Sequence, residues 1–418
     1  MNTIVSKSKL PADWEVVRLG QYIEEKKERN KNELELPVYS VSNIYGFILS
    51  EEFFDKRVYS KNLKAYKVVA QHEFAYNPAR VNVGSLALFV EDKSGLVSPM
   101  YVVFKVKDTD SLSPSFLYLL LKTPRYSKMI KSASASRGSV RKILSFDDLA
   151  DFQIPLPPLP EQQKIVYVLD AIQEAIGAQE RLIEKTKELK RAVMAKLFRE
   201  GTRGEKLKKT EIGEIPEDWE VVRLGEVYKI THQPPNLDFK NFKSIPFIPM
   251  EEVGFGNLNP KYYMKSFDEI PSGVYFEKGD LLLAKITPSF ENGKQSIVED
   301  IPLNFGIATT EIIPIKQTPK SNTYYLFYLL QKNDVRNSLA ESMEGTTGRR
   351  RLSKSVLLNF KIPLPPFPEQ QEIVEILQTI DQKIDIEQKK KALYEELFRA
   401  MLEKLMTAEL RVKDIEFE

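Results

Sequence analysis

The sequence has no cysteine and only two histidines, His72 and His232. Disulfides, iron–sulfur clusters and thiolate zinc sites are excluded, and two isolated imidazoles do not build a structural zinc site; no metal and no cofactor is expected. Long apolar runs are lacking as well. The longest, at residues 115–121 and 324–330, fall far short of the roughly 20 residues that a bilayer requires. Residues 1–10 also lack the apolar core of a signal peptide, so the expectation is a cytoplasmic protein with no membrane partner. Nor is there an excess of one charge, with 61 Lys and Arg against 59 Asp and Glu. A polyanionic partner must therefore be met by local basic patches and not by a global field. What is present is a chain of 418 residues, 42% hydrophobic and 29% charged, long enough for two or three cores.

The chain repeats itself. Residues 10–20 (LPADWEVVRLG) reappear at 215–225 (IPEDWEVVRLG), and residues 154–166 (IPLPPLPEQQKIV) return at 362–374 (IPLPPFPEQQEIV). Trp14 corresponds to Trp219 and Pro160 to Pro368, so the halves differ by only a few inserted residues. Between these anchors the sequences diverge, apart from echoes such as residues 116–120 (FLYLL) against 326–330 (LFYLL). A common scaffold carrying middles fitted to different ligand surfaces explains this pattern. Drift after an old duplication would leave the same trace.

Each proline-rich run ends in Pro-Glu-Gln-Gln, and proline followed by an acid in a first turn marks a helix start. The first helix is expected to open near Pro160. Its stripe follows Ile165, Leu169, Ile172, Ile176, Gln179 and Ile183, continues through Leu182, Leu189, Val193 and Leu197, and stops at Gly201 and Gly204. The second follows Ile373, Leu377, Ile380 and Ile384, then Leu393, Leu397, Met401 and Leu405. At about 40 residues each, the helices are on the order of 60 Å long. A stripe of that length needs a partner, and antiparallel pairing of the repeat mates is the simplest geometry, although a dimerising coiled coil would also satisfy it. Prolines 155–160 also fit a PxxP ligand; their repetition before both helices favours a rigid lead-in.

The expected division is a first domain at 1–153, a helix with linker at 154–205, a second domain at 206–361, and a helix with tail at 362–418. Both domains read as mixed α and β, with strands near 86–90, 101–106, 280–286 and 311–315 and short core helices at 115–121 and 324–330. Trp14 and Trp219 are expected to be core anchors of the opening strands. Residues 125–142 hold six Lys or Arg and no acid, and the matching segment of the second half is Gly345-Thr346-Thr347-Gly348-Arg349-Arg350-Arg351. Small polar residues among cations let backbone N–H groups approach phosphates while guanidinium groups reach guanine edges. Arg137, Ser139, Arg141 and Lys142 are therefore candidate DNA contacts, with Thr346, Thr347, Arg349, Arg350 and Arg351 as their counterparts. A solvated basic loop would read the same way. Weaker candidates are Asn43, Tyr45, Arg80, Lys285, Asn292 and Lys294, each equally at home in a turn.

Catalytic motifs are missing. The sequence has no GxxxxGK[ST] loop, no GxGxxG after a strand, no HExxH and no nucleophile elbow. Asn77-Pro78 is followed by Ala79 and Arg80, where an adenine methyltransferase signature has proline and an aromatic residue. Paired acids at 147–148 and 251–252 lack the third carboxylate of a nuclease metal site, and read as helix-start or surface acids.

Two copies of DWEVVRLG opening variable domains, and two of IPLPPxPEQQxIV opening long helices, make the whole chain resemble the specificity subunit of Type I restriction-modification systems. The resemblance implies an α+β fold: two globular mixed α/β target-recognition domains separated by two long antiparallel helices forming a coiled coil, with an internal pseudo-twofold repeat. It implies a non-catalytic subunit that reads a bipartite, asymmetric site in double-stranded DNA. It also implies docking of two methyltransferase subunits and of restriction subunits, with S-adenosylmethionine and ATP chemistry belonging to those partners. Ile165, Leu169, Ile172, Ile176, Ile373, Leu377, Ile380 and Ile384 are the candidate partner-binding residues. A related fused restriction-modification system, or a coiled-coil scaffold that does not bind DNA, would share parts of this pattern.

Overall fold

The computed structural model describes residues 10–43, 46–54, 59–81, 84–135, 143–204, 206–270, 272–346 and 348–412. The chain forms two compact units, residues 1–180 with 389–418, and residues 181–388. Each contains one globular domain and one half of each long helix.

In the first unit, Ile23–Lys26, Val102–Val106, Phe74–Tyr76 and Leu86–Leu88 form a four-stranded sheet in that order, antiparallel throughout. Two hairpin-like pairs, Tyr39–Ser42 with Gly46–Leu49 and Lys67–Val69 with Gly95–Val97, complete its β structure. In the second unit, a five-stranded sheet runs Tyr228–Ile230, Ile312–Gln317, Leu281–Ala284, Gln295–Ile297, Phe255–Leu258, and only its last pairing is parallel. A four-stranded sheet of Tyr263–Lys265, Ile245–Ile248, Phe305–Ala308 and Val274–Glu277 accompanies it. The central strand Leu281–Ala284 is buried at every position, which is why it reads as an apolar run without alternation. The short apolar helices are Pro114–Lys122 and Thr323–Leu329, capped by Ser113 and Asn322. Asp148 reads as expected for a helix-start acid, since it closes a capping box with Ser145.

The two repeated motifs meet within each unit. Glu15–Arg18 pairs antiparallel with Gln153–Leu156, and Glu220–Arg223 with Lys361–Leu364. Pro155 and Pro363 lie opposite Val16 and Val221, and a two-stranded ladder tolerates their missing N–H groups because both strands are edges. The closing glycine of each DWEVVRLG motif is required by close approach: a Cβ on Gly20 would sit 3.0 Å from Ala150 Cβ, and one on Gly225 3.1 Å from Leu358 Cβ.

The Pro-Glu-Gln-Gln turns are buried junctions. Trp14 and Trp219 are core anchors, as expected, and their indole N–H groups donate at 2.9 Å to Glu161 and Glu369. Gln162, fully buried, accepts from the Ser113 N–H at 2.8 Å and donates to the carbonyls of Ser111 and Pro157. Gln370 makes the same three bonds to Asn322, Lys320 and Pro365. The remaining acceptor capacity of the two glutamates is filled differently. Glu369 accepts from the Thr202 N–H at 2.8 Å, whereas Glu161 faces the Arg411 guanidinium, whose Nη2 lies 2.6 Å from Oε2 and also reaches Asp13 at 2.9 Å.

The first long helix, Leu159–Glu200, has 42 residues and the second, Phe367–Met406, has 40. Gly201 ends the first with φ +66°, a left-handed conformation natural to glycine. Within the first unit, Ile165 and Leu169 share a core with Leu402, Leu405 and Met406, so the start of one helix packs on the end of the other. Within the second unit, Met194, Leu197 and Phe198 pack with Ile373, Val374 and Leu377, again antiparallel. The expected stripe is partly misplaced: Leu182, Leu189, Leu393 and Leu397 are exposed, and Lys190 takes the inward heptad place after Leu169, Ile176 and Ile183. Its ammonium lies 2.7 Å from Asp381 Oδ1, and Tyr328 donates to the same carboxylate at 2.8 Å, which compensates a cation at that place. Among the described residues no helix is long and apolar enough to cross a membrane.

Candidate nucleic-acid interface

The site in the second unit starts from the end of strand Leu281–Ala284. Lys285 and Thr287 continue along the basic segment, because the Leu352 N–H donates to Lys285 O at 2.7 Å and the Thr287 N–H to Arg350 O at 3.1 Å. Arg351 and Glu344 exchange both backbone hydrogen bonds, at 2.8 and 3.0 Å, folding 344–351 into a tight loop. Gly345 allows this at φ +127°, where a Cβ would lie 2.6 Å from Arg349 O. Two clusters chosen separately in the sequence, Lys285 with Asn292 and Lys294, and Thr346 with Arg349–351, therefore belong to one rim.

The cations on that rim differ in freedom. Arg350 donates to Ala340 O at 3.1 Å and lies 3.3 Å from Glu291, and Arg351 lies 3.0 Å from Glu311. Lys294 Nζ donates to Met250 O at 2.7 Å. These three side chains are tied within the domain and hold the loop in place. Arg349 and Thr346 are exposed, and among the described residues Arg349 makes no ion pair. Burial pulls the Lys285 ammonium below its ordinary pKa; Glu311 opposes this, while Arg351 and Lys354 reinforce it. Glu291 Oε2 and Glu311 Oε2 are buried without hydrogen-bond partners, and the other oxygen of each carboxylate faces Arg350 or Arg351. Asn292 is exposed on the Asn292-Gly293 turn.

The first unit repeats the arrangement where it is described. Strand Phe74–Tyr76 runs into the turn at 77–80, where the Ala79 N–H donates to Asn77 Oδ1 at 3.0 Å and Arg80 is exposed. The Leu144 N–H donates to Pro78 O at 3.2 Å, which places Leu144 against this turn as 350–352 lies against 285–287. Asn43 joins the same rim: it is exposed between strands Tyr39–Ser42 and Gly46–Leu49, and a Cβ on Gly84 would lie 3.1 Å from its own Cβ. Tyr45, Arg137, Ser139, Arg141, Lys142 and Thr347 lie outside the described residues. The sequence reading missed Lys122, which reaches Gly84 O at 3.5 Å and sits 5.3 Å from the Tyr118 ring centroid; as the last residue of an apolar helix it carries no local signal.

A family model described as the Type I restriction modification DNA specificity domain matches this chain twice, over residues 11–188 and 216–396. The Type I restriction enzyme MjaVIII specificity subunit of Methanocaldococcus jannaschii is 30% identical over 426 residues, covering 98% of this chain and 96% of that one. The chain belongs to the Type I restriction-modification specificity subunit family. A solved structure described as the basis of complex assembly and conformational transition of the type I R-M system shares the fold, with TM-score 0.58, 21% identity and coverage of 96% and 99%. So does the Type I restriction-modification S subunit of M. genitalium, with TM-score 0.56, 17% identity and coverage of 95% and 98%.

As a specificity subunit it is non-catalytic, and the catalytic activities of such systems lie in other subunits. It carries two target-recognition domains, one for each match of the family model. Among the described residues no group of three or more His, Asp or Glu side chains is placed to hold a metal ion. The residues expected from the sequence to bind partners lie along both long helices. Ile165, Leu169, Ile176, Ile373 and Leu377 are buried, and Ile172, Ile380 and Ile384 are half-buried. Ile165 and Leu169 pack in the core of the first unit, and Ile373 and Leu377 in the core of the second. The most exposed apolar side chains of the specificity-subunit helices are Tyr167, Leu189, Ile386 and Leu393.

Proposed function

We propose that this chain reads a bipartite, asymmetric site in double-stranded DNA, one half with each recognition domain, and docks two methyltransferase subunits and restriction subunits on its helices. The observation that supports the reading is the shared construction of the two rims, in which a strand-end turn is hydrogen-bonded to residues in or just after a basic segment of the sequence, at 285–287 with 350–352 and at 78 with 144. Repetition at equivalent places supports a common ligand, and the different side chains on the two rims support two different half-sites. Arg349, Thr346, Lys285 and Asn292 face DNA in the second domain; Asn43, Arg80 and the segment carrying Arg137, Ser139, Arg141 and Lys142 do so in the first. Helices on the order of 60 Å exceed the roughly 34–36 Å of one duplex turn, enough to space two half-sites along the major groove and still present a docking face.

The test is a genome-wide map of methylated adenines in cells with and without this chain, its partner subunits being present in both. Modification at one two-part sequence that disappears with the chain supports the reading. An unchanged map, with no salt-dependent duplex binding by the reconstituted complex, refutes it and favours the scaffold alternative.

A further inference from the structure

On the rim of the second domain, one large apolar side chain is turned outward. Phe255 is 63% exposed at the start of the edge strand Phe255–Leu258. The cause is a bulge: pairing with Gln295–Ile297 shifts register between Phe255 and Asn257, and Gly256 between them has φ +81°. Bulges of this kind re-aim side chains, often beside functional surfaces. Gly256 also allows close approach, since a Cβ there would meet Gln331 Nε2 at 3.2 Å.

The position ties Phe255 to the basic rim. Lys294 Nζ lies 5.5 Å from its ring centroid while donating to Met250 O, so the anchored amine holds one face of the ring. The neighbouring backbone bonds, Gln295 N–H to Gly254 O at 2.8 Å and Ala284 N–H to Lys294 O at 3.1 Å, connect the Phe255 strand to the chain that continues directly into Lys285. An exposed phenyl group with a cation over one face fits a ligand that is both anionic and apolar in places. Duplex DNA is such a ligand, with phosphates at its edges and thymine methyl groups on the floor of the major groove. An intercalating wedge would need both faces of the ring, and Lys294 covers one.

We propose that Phe255 is a specificity-determining residue that reads a thymine of the second half-site by packing its open face and edge against the C5 methyl group. The proposal rests on the DNA-reading function above. Once the recognition sequence is mapped, the complex reconstituted with the full chain is titrated with duplexes in which each thymine of the second half-site is replaced singly by uracil, a change that removes only the methyl group. At one position the wild-type complex should bind about fourfold more weakly, the factor that corresponds to ~0.8 kcal/mol for one buried methyl-sized group. The Phe255→Ala complex should bind the thymine and uracil duplexes equally, and Phe255→Leu should keep part of the preference. An unchanged thermal transition of both variants confirms that the fold is intact. A second half-site in which no uracil exchange matters overturns the proposal, as does a Phe255→Ala complex that keeps the thymine preference. Either result leaves the DNA-reading function standing, whereas a complex that binds duplexes with and without the mapped recognition sequence alike refutes the function itself.

Discussion

Replacing Arg411 by alanine removes the cation that faces Glu161, a side chain only 5% exposed, and leaves the Trp14 indole N–H as its donor among these contacts. The structure gives Arg411 hydrogen bonds to both Glu161 and Asp13, which raise the guanidinium further above its ordinary pKa. Removing one partner of a fully buried pair costs about 3–5 kcal/mol, and an exposed pair contributes about 0–1. The side chains of Arg411 and Asp13 are 24% and 38% exposed, so water reaches this network from one side. We therefore expect a loss of about 2 kcal/mol, far above the ~0.5 kcal/mol typical of surface substitutions. For a unit of this size that lowers the melting temperature by about 4–8 °C. Calorimetry of the full chain reads the shift, and hydrogen exchange in strands Glu15–Arg18 and Gln153–Leu156 locates it in the first unit. Adding Glu161→Gln should recover part of the loss, because the amide oxygen still accepts from Trp14 and no buried charge remains. A transition that moves by less than about 1 °C would refute the assignment of Arg411 as the neutralising group.

Arg349→Ala should weaken duplex binding by the complex severalfold and reduce the salt slope by about one, as expected for loss of one phosphate contact; equal salt slopes would show that Arg349 does not touch the backbone. Burial pushes Asp280 up to about 6, above its unfolded value, so this group stabilises the folded state when protonated. Stability from this source is present at low pH and is lost as pH rises through about 6; Asp280→Asn should flatten that part of the pH profile, and a profile unchanged in denaturant melts between pH 5 and 8 would contradict it. Deleting one turn from both long helices should change the preferred gap between the half-sites, and identical spacing in a methylation-protection assay would count against the helices as spacers.

Much of the scaffold was legible because it is governed by local chemistry. Proline and acid at a helix start, and glycine at its end, placed the first long helix within a residue or two of Leu159–Glu200. The duplication marked the two motifs at the ends of each domain without showing that they pair with each other. The bond from Trp14 to Glu161 spans 147 positions, and no periodicity reports such a contact. The helix stripe was misplaced for a related reason. Leu189 looks more suited to a core than Lys190, yet the lysine faces inward, because Asp381 and Tyr328 on distant segments compensate its charge. On the candidate interface, the sequence identified Arg350 and Arg351 by type. It did not show that Glu291 and Glu311 hold them, since those carboxylates come from other parts of the chain. Phe255 went unnoticed because exposure at a bulge has no signature in a single apolar residue.

The first unit takes its last pieces, Leu402, Leu405 and Arg411, from the far end of the chain, while the second is one uninterrupted stretch. During synthesis, then, the domain translated first is completed last. At about 5–20 residues per second, the surface around Ile165 and Leu169 waits roughly 12–47 s for the segment that covers it. Over that interval the nascent chain presents an apolar stripe beside an uncompensated Glu161, a vulnerability to proteases and chaperones that the finished protein does not share.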